Sequence, residues 1–386
     1  MTHLTGLTSR TSPPGDGTPS GHLSPISAGA PPPADALDPQ ELEAFLARFG
    51  ADQAAAMHLA TVVLGEQLGL YRALAAAGPQ TGTELAERTG LSPRLVLEWL
   101  RAQAVSGYCE HDPTSDRFWL DPVQRACLAD DGGPAFVAGG APTVSAVHRR
   151  IDQVAAAFRG AGTVAWGDHD PALFSGVARA FQPAFETHLL ASWIPALDGI
   201  DARLRAGGRV ADVACGFGVT AVLMAQGYPR ATVAGFDQHA PSIAAARQAA
   251  AEAGVADRVT FEVTDAAALP GHDYDLVTMC NALHEMGDPV AVCRRVRDAL
   301  ADGGRLMLIE PVAGDTLADN RTPRGRSFLS ASTMICLPSA LSQGGDRHLG
   351  AQAPDADFRE VALEAGFRRC DRVAVTPLHR VLQLTP

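Results

Sequence analysis

The stretch Arg209-Val210-Ala211-Asp212-Val213-Ala214-Cys215-Gly216-Phe217-Gly218 decides how this chain is read. An almost unbroken apolar run enters a glycine turn, and the apolar residues that follow from Val219 to Gln226 predict a helix. Glycines at 216 and 218 let the backbone approach a ligand that any Cβ would push away. The start of the helix favours a negative group. Asp212, inside the strand, would sit badly beside a pyrophosphate and suits a cationic ligand.

The next strand ends in Gly235-Phe236-Asp237-Gln238, and a carboxylate at 237 can accept both hydroxyls of a ribose. The third ends in Asp265-Ala266, where a carboxylate and a neighbouring amide can read an adenine edge. A nucleoside-shaped ligand at the carboxyl ends of the strands follows. Gly216-x-Gly218-x-x-Ala221 also satisfies the dinucleotide fingerprint. Three features weigh against a nicotinamide dinucleotide: Asp212, the lack of a separate substrate domain after the motif, and a terminal hairpin. Strands are expected at 209–215, 232–238, 259–265, 274–281, 305–312, 368–375 and 380–384. Their near-continuous apolar runs, alternating with helices, predict a doubly wound, mostly parallel seven-stranded α/β sheet. Only Thr376-Pro377-Leu378-His379 joins the last two, too short for a crossover, so they must form an antiparallel hairpin.

Upstream, residues 1–37 are rich in Pro, Ser, Thr and Gly and predict a disordered tail. Residues 38–130 predict a mainly helical winged-helix domain. Leu42, Phe45, Leu46 and Phe49 mark one buried face of a first helix, and a second runs from about Ala54 to Leu74. Thr83–Gly90 and Arg94–Val105 form a helix-turn-helix, with Ser92 placed as N-cap and Pro93 at the first helical position. Two short strands around Asp112–Asp116 make the wing. The second helix carries Arg94 and Arg101 with Glu98 between them, too few cations for a phosphate backbone. Dimerisation is the expected role, and a homodimer through this domain the expected assembly. Residues 131–200 form a helical connector lining a substrate pocket, and 201–386 the ligand-binding domain.

Composition narrows the chemistry. All 31 basic residues are arginine, which excludes enzymes built on a lysine amine, such as pyridoxal-phosphate enzymes, P-loop ATPases and protein kinases. A net charge of −12 disfavours nucleic acid as a partner. Seven scattered cysteines with no C-x-x-C pair predict a reduced, cytoplasmic setting without a structural zinc site. No apolar stretch approaches the length of a membrane span.

Asp-x-Ala-Cys-Gly-x-Gly (212–218), Asp237, Asp265, the Tyr-Asp-Leu-Val strand from 274 and Leu-Ala-Asp-Gly-Gly-Arg-Leu-Met-Leu-Ile-Glu-Pro (300–311) resemble class I S-adenosylmethionine-dependent methyltransferases. The winged helix, the turn at Trp166-Gly167-Asp168-His169-Asp170-Pro171 and the segment 331–343 are similar to one bacterial subgroup of that family. The resemblance implies S-adenosylmethionine as cofactor, its methionine part at Gly216 and Gly218, its ribose at Asp237, and its adenine at Asp265 and Ala266. Ala214 stands where the family often has its first glycine. Asp212, Gln238 and Asn281 complete the expected cofactor set.

Methyl transfer from a sulfonium mostly needs positioning, but a neutral hydroxyl acceptor must also lose a proton. His284, in Cys280-Asn281-Ala282-Leu283-His284-Glu285-Met286, is the candidate general base; a helix-capping histidine is the alternative. The resemblance extends to O-methylating enzymes with a histidine in a Leu-His-Asp setting, where this chain has Glu285. His169 could be a substrate contact, a supporting group, a metal ligand or part of a polar turn. No ligand spacing joins His169, His284 and His348 in a metal site, and none is expected. The long segment 315–350 predicts a lid or pocket wall, with Trp166, His169 and Met334 as substrate contacts. The expected activity is O-methylation of a phenol or pyrone-like enol in a bacterial secondary metabolite. Carbon or nitrogen methylation, a nicotinamide oxidoreductase and a DNA-binding sensor of S-adenosylmethionine are the alternatives.

Overall fold

A computed structural model describes residues 37–386. Apart from Leu37, the expected tail lies outside these residues. The N-terminal region contains α1 (Pro39–Gln67), α2 (Leu70–Ala75), α3 (Gly82–Thr89), α4 (Pro93–Val105), β1 (Glu110–Asp112), β2 (Arg117–Trp119) and α5 (Pro122–Leu128). Asp38 starts α1 by accepting the amide of Gln40. The expected pair of helices is one helix of 29 residues. Gly50 costs only about 1 kcal/mol in such an alanine-rich run, and the break comes instead at Gly69, whose φ of 68° closes the turn into α2.

A second expectation is corrected in α1. Leu42, Phe45, Leu46 and Phe49, read as a buried face, are 42–58% exposed, while Val62 and Val63 near the other end enter the core. That core packs Leu70, Tyr71, Leu85, Trp99, Leu100 and Phe118. In the helix-turn-helix, Thr81 and Glu84 form a reciprocal capping box on α3. Ser92 occupies the N-cap of α4, but its side chain caps no amide. The antiparallel β1–β2 pair forms the wing, with Glu110 opposite Trp119.

The connector contributes α6 (Ala141–His148), α7 (Ile151–Phe158) and α8 (Pro171–His188), and α8 continues into a π-helical turn, Leu189–Trp193. After α9 (Ile200–Ala206) come β3 (Arg209–Val213), α10 (Val219–Gly227), β4 (Thr232–Asp237), α11 (Ala240–Glu252), β5 (Val259–Val263), β6 (Tyr274–Cys280) and α12 (Pro289–Ala299). Then follow β7 (Leu300–Pro311), α13 (Pro323–Ala331), a π-helical turn at Ser332–Cys336, α14 (Leu337–Ser342), α15 (Asp355–Glu364), β8 (Arg369–Val375) and β9 (His379–Thr385).

The sheet order is β5-β4-β3-β6-β7-β9-β8. The first five strands are parallel, and β9 runs antiparallel to both β7 and β8. This is the expected sheet with its terminal hairpin. β7 starts five residues before the expected Arg305, because Leu300 already pairs with Tyr274 across an irregularity. One face is covered by Trp193, Leu204, Met224, Ile243 and their neighbours from α9–α11 and the preceding turn. The other is covered by Val292, Val296, Phe358 and Val361 of α12 and α15. Strand order reverses between β3 and β6, which opens a crevice at their carboxyl ends.

Candidate active site

The crevice is a cavity of about 270 Å³. Its floor is the turn after β3. Gly216 and Gly218 have φ of 52° and 75°, and a Cβ on Gly218 would lie 2.8 Å from Phe261 and 2.9 Å from Ala246. Only glycine fits position 218 without displacement. Ala214 also sits at positive φ, 56°, so here an alanine bears the strain that a glycine would relieve.

Asp237 locks this turn to the end of β4. One carboxylate oxygen accepts the amide of Gly216 at 2.9 Å and the other that of His239 at 2.8 Å. Burial raises its pKa against the pull of those amides. Asp237, Gln238, Asp265, Ala266 and Asn281 all line the cavity with the two glycines. Asp265 also accepts the amide of Ala267 at 2.7 Å.

Asp212 is placed differently. It is fully buried beneath the turn and accepts hydrogen bonds from Thr220 and Thr278, each at 2.6 Å. Burial pushes its carboxyl up to about 6, against the two threonines. Thr220 lines the cavity and Asp212 does not, so Asp212 bears on a ligand through Thr220.

The opposite wall is aromatic. Trp166 and, on α8, Phe174, Phe181 and Phe185 face the cavity, with Trp166 and Phe174 ring centres 5.4 Å apart. The inserted segment closes over them through Ser339 and Gln343. His169 and Met334 are outside the lining. His169 is buried, its Nε2 3.3 Å from the Ser339 hydroxyl, and burial takes its pKa down to about 4. Met334, in the π-helical turn, packs against a small separate cluster around Leu173 and Ile335.

His284 lies directly behind the lining. Its Nδ1 is 2.5 Å from Glu310 of β7, and its Nε2 is 3.7 Å from Glu285, which does face the cavity. Glu310 is wholly buried and also accepts the amide of Leu283 at 3.0 Å. Burial pulls the His284 pKa down, but Glu310, aided by Glu285, outweighs it and holds the imidazole above its ordinary value. Burial raises Glu285 against the opposing influence of His284 and the Cys336 thiol. Glu310, Glu285 and Cys336 were not among the expected site residues. A lone carboxylate closing the apolar run Leu306-Met307-Leu308-Ile309 was the available sign for Glu310.

The charges lining the cavity decide between ligands. Asp237, Asp265, Glu285 and Asp288 face it, and among the described residues no arginine or histidine does. Such a surface suits a cationic sulfonium with a ribose and an adenine, and it repels a pyrophosphate. Residues 204–343 match the family model described as a methyltransferase domain, and residues 55–130 match a Rv2258c-like winged HTH domain. The chain carries a methyltransferase domain behind a winged helix-turn-helix domain. S-adenosylmethionine is the cofactor of such a domain, and the glycine turn with the carboxylates of Asp237 and Asp265 lining one cavity fits it.

Among curated relatives, this chain is 39% identical over 107 residues to 27-O-demethylrifamycin SV methyltransferase of Amycolatopsis mediterranei, covering 27% of this chain and 39% of that protein. Methyltransferase GfsG of Streptomyces halstedii is 34% identical over 130 residues, 33% of this chain and 46% of its own. The chain thus spans less than half the length of either relative. The fold matches human N-acetylserotonin methyltransferase in complex with S-adenosylmethionine, with a TM-score of 0.66 at 18% identity, over 91% of this chain and 99% of that one.

Proposed function

We propose that this protein transfers a methyl group from S-adenosylmethionine to the hydroxyl oxygen of a small aromatic molecule, a phenol or a pyrone-like enol of a secondary metabolite. The observation that carries this reading is the two-sided cavity, acidic and glycine-rich on one wall and aromatic on the other, with His284 and Glu310 paired behind it. The cofactor, when bound, supplies an activated methyl group for in-line displacement. The glycine turn and Asp237 position it, the aromatic wall orients a flat acceptor, and burial between two packed layers excludes water. His284, its Nδ1–H held by Glu310, takes the acceptor proton at Nε2. The name of one relative, 27-O-demethylrifamycin SV methyltransferase, agrees with an oxygen acceptor.

The winged helix is assigned to homodimerisation rather than to DNA. Arg94 and Arg101 on α4 both pair with Glu98, which leaves that helix little charge for phosphates. The exposed face of Leu42, Phe45, Leu46 and Phe49 on α1 offers an apolar surface for a second copy.

The direct test is methylation of a panel of phenols and hydroxypyrones, with products located by mass spectrometry and NMR. O-methylated product is expected from the wild type. His284→Ala should lose at least about a hundredfold in rate while binding S-adenosylhomocysteine as before. A full-rate His284→Ala enzyme would remove the base assignment, and methylation at carbon or nitrogen would remove the acceptor assignment.

A further inference from the structure

Three different metal-binding side chains meet beside the cavity. His284, Glu285 and Cys336 each present a donor atom, and the three atoms lie within 4.8 Å of one another. They are distant in sequence only in part: His284 and Glu285 share the short turn after β6, and Cys336 arrives from the inserted segment. There it closes the π-helical turn Ser332–Cys336, an irregularity that helices commonly keep at functional sites.

We infer that His284, Glu285 and Cys336 form a binding site for a single zinc-class divalent cation, with its open side on the cavity. The donor set is imidazole nitrogen, carboxylate oxygen and thiolate sulfur, which selects zinc over hard cations such as magnesium or calcium. Tetrahedral zinc holds its donors roughly 3.3–3.7 Å apart, and the His284 Nε2 to Glu285 Oε1 separation is 3.7 Å. The thiol faces the Glu285 carboxylate and has to advance by only about 1 Å to complete the triad, by comparison with zinc–ligand geometry.

The histidine is also dressed as a ligand. Its far nitrogen, Nδ1, is held by the buried Glu310 carboxylate, and a carboxylate behind a coordinating imidazole fixes the tautomer and aims the other nitrogen at the ion. Two of the three donor residues, His284 and Cys336, are buried, while Glu285 lines the cavity. The fourth position therefore opens where an acceptor would lie. On binding, the Cys336 thiol releases its proton to solvent and the thiolate joins the ion; no oxidant or reductant is involved.

The consequence rests on the methyltransferase reading, although the site does not. The ion would occupy the same Nε2 lone pair that takes the acceptor proton. Zinc is then an inhibitor of methyl transfer rather than its cofactor.

The test uses tag-free full-length protein stripped with a chelator, titrated with Zn²⁺ by calorimetry and with Co²⁺ by absorbance. One ion per chain and a thiolate-to-cobalt absorption band are expected. Cys336→Ser should abolish the band and weaken Zn²⁺ at least tenfold, and Glu285→Gln should weaken it independently. Unsaturable binding in the wild type, or equal Zn²⁺ affinity in wild type and both variants, overturns the site. S-adenosylhomocysteine titrated into the same samples separates the two readings: its binding should persist in Cys336→Ser, and its failure in the wild type would count against the methyltransferase reading alone.

Discussion

Asp212 shows how a residue can be right in type and unexpected in place. Its acidic side chain in an apolar strand reads as a ligand contact, but the structure turns it beneath the glycine loop, where two threonine hydroxyls hold it. A sequence shows that a strand residue is acidic; it does not show which face of a doubly covered sheet receives it. The folded-state pKa of about 6 lies above the unfolded value, so the folded chain binds more protons between roughly pH 4 and 6. The contribution of Asp212 to stability is thus greatest below that window, falls through it and stays a constant cost above. Denaturant melts of wild type and Asp212→Asn should show the variant gaining on the wild type by up to about 3 kcal/mol from pH 4 to pH 7. A difference independent of pH would contradict this. At Gly218, a Cβ meets Phe261 and Ala246, so Gly218→Ala should lose most S-adenosylhomocysteine affinity, measured calorimetrically, and lower the melting temperature. Unchanged affinity would mean that the turn is not the cofactor's cradle.

Among the elements, the strands were the most legible, because a parallel sheet covered on both faces needs apolar runs with little else to imitate them. Val210 to Val213 and Leu306 to Ile309 are buried as those runs require. The hairpin followed from a connection too short to cross over. Helix ends were less readable. The expected boundary before Ala54 is absent, and the chain breaks at Gly69 instead. Ser92 had the N-cap position without the bond, and Thr81 has the full capping box. Thr81→Ala should therefore cost about 1 kcal/mol in chemical denaturation, and Ser92→Ala little. Equal losses would contradict the capping geometry. Met334, expected to contact substrate, lies outside the cavity lining; it sits in a π-helical turn, which no 3.6-residue periodicity reveals.

For the molecule as a whole, the acidic and aromatic walls come from separate parts of the chain. β3–β6 supply the first, and α8 with the Trp166 turn supplies the second. The sequence disclosed the first wall through its glycines and acids. The second is a set of apolar helix residues whose spacing is equally that of core packing, so only the fold distinguishes them. The same ambiguity, reversed, affected α1, where apolar periodicity marks a face that this chain leaves exposed. If that face joins two copies, light scattering should give twice the chain mass, and Phe45→Asp with Phe49→Asp should halve it while keeping the circular dichroism of the fold. A wild type that is monomeric at all concentrations would remove the dimer.

The ligand of the β3–β6 crevice decides the function, and calorimetric titration with S-adenosylhomocysteine and, separately, NADH, on wild type and Asp237→Ala, tests it most directly. Saturable binding of S-adenosylhomocysteine alone, weakened at least tenfold in Asp237→Ala, is the predicted result. Binding of NADH, or S-adenosylhomocysteine affinity indifferent to Asp237, would contradict it.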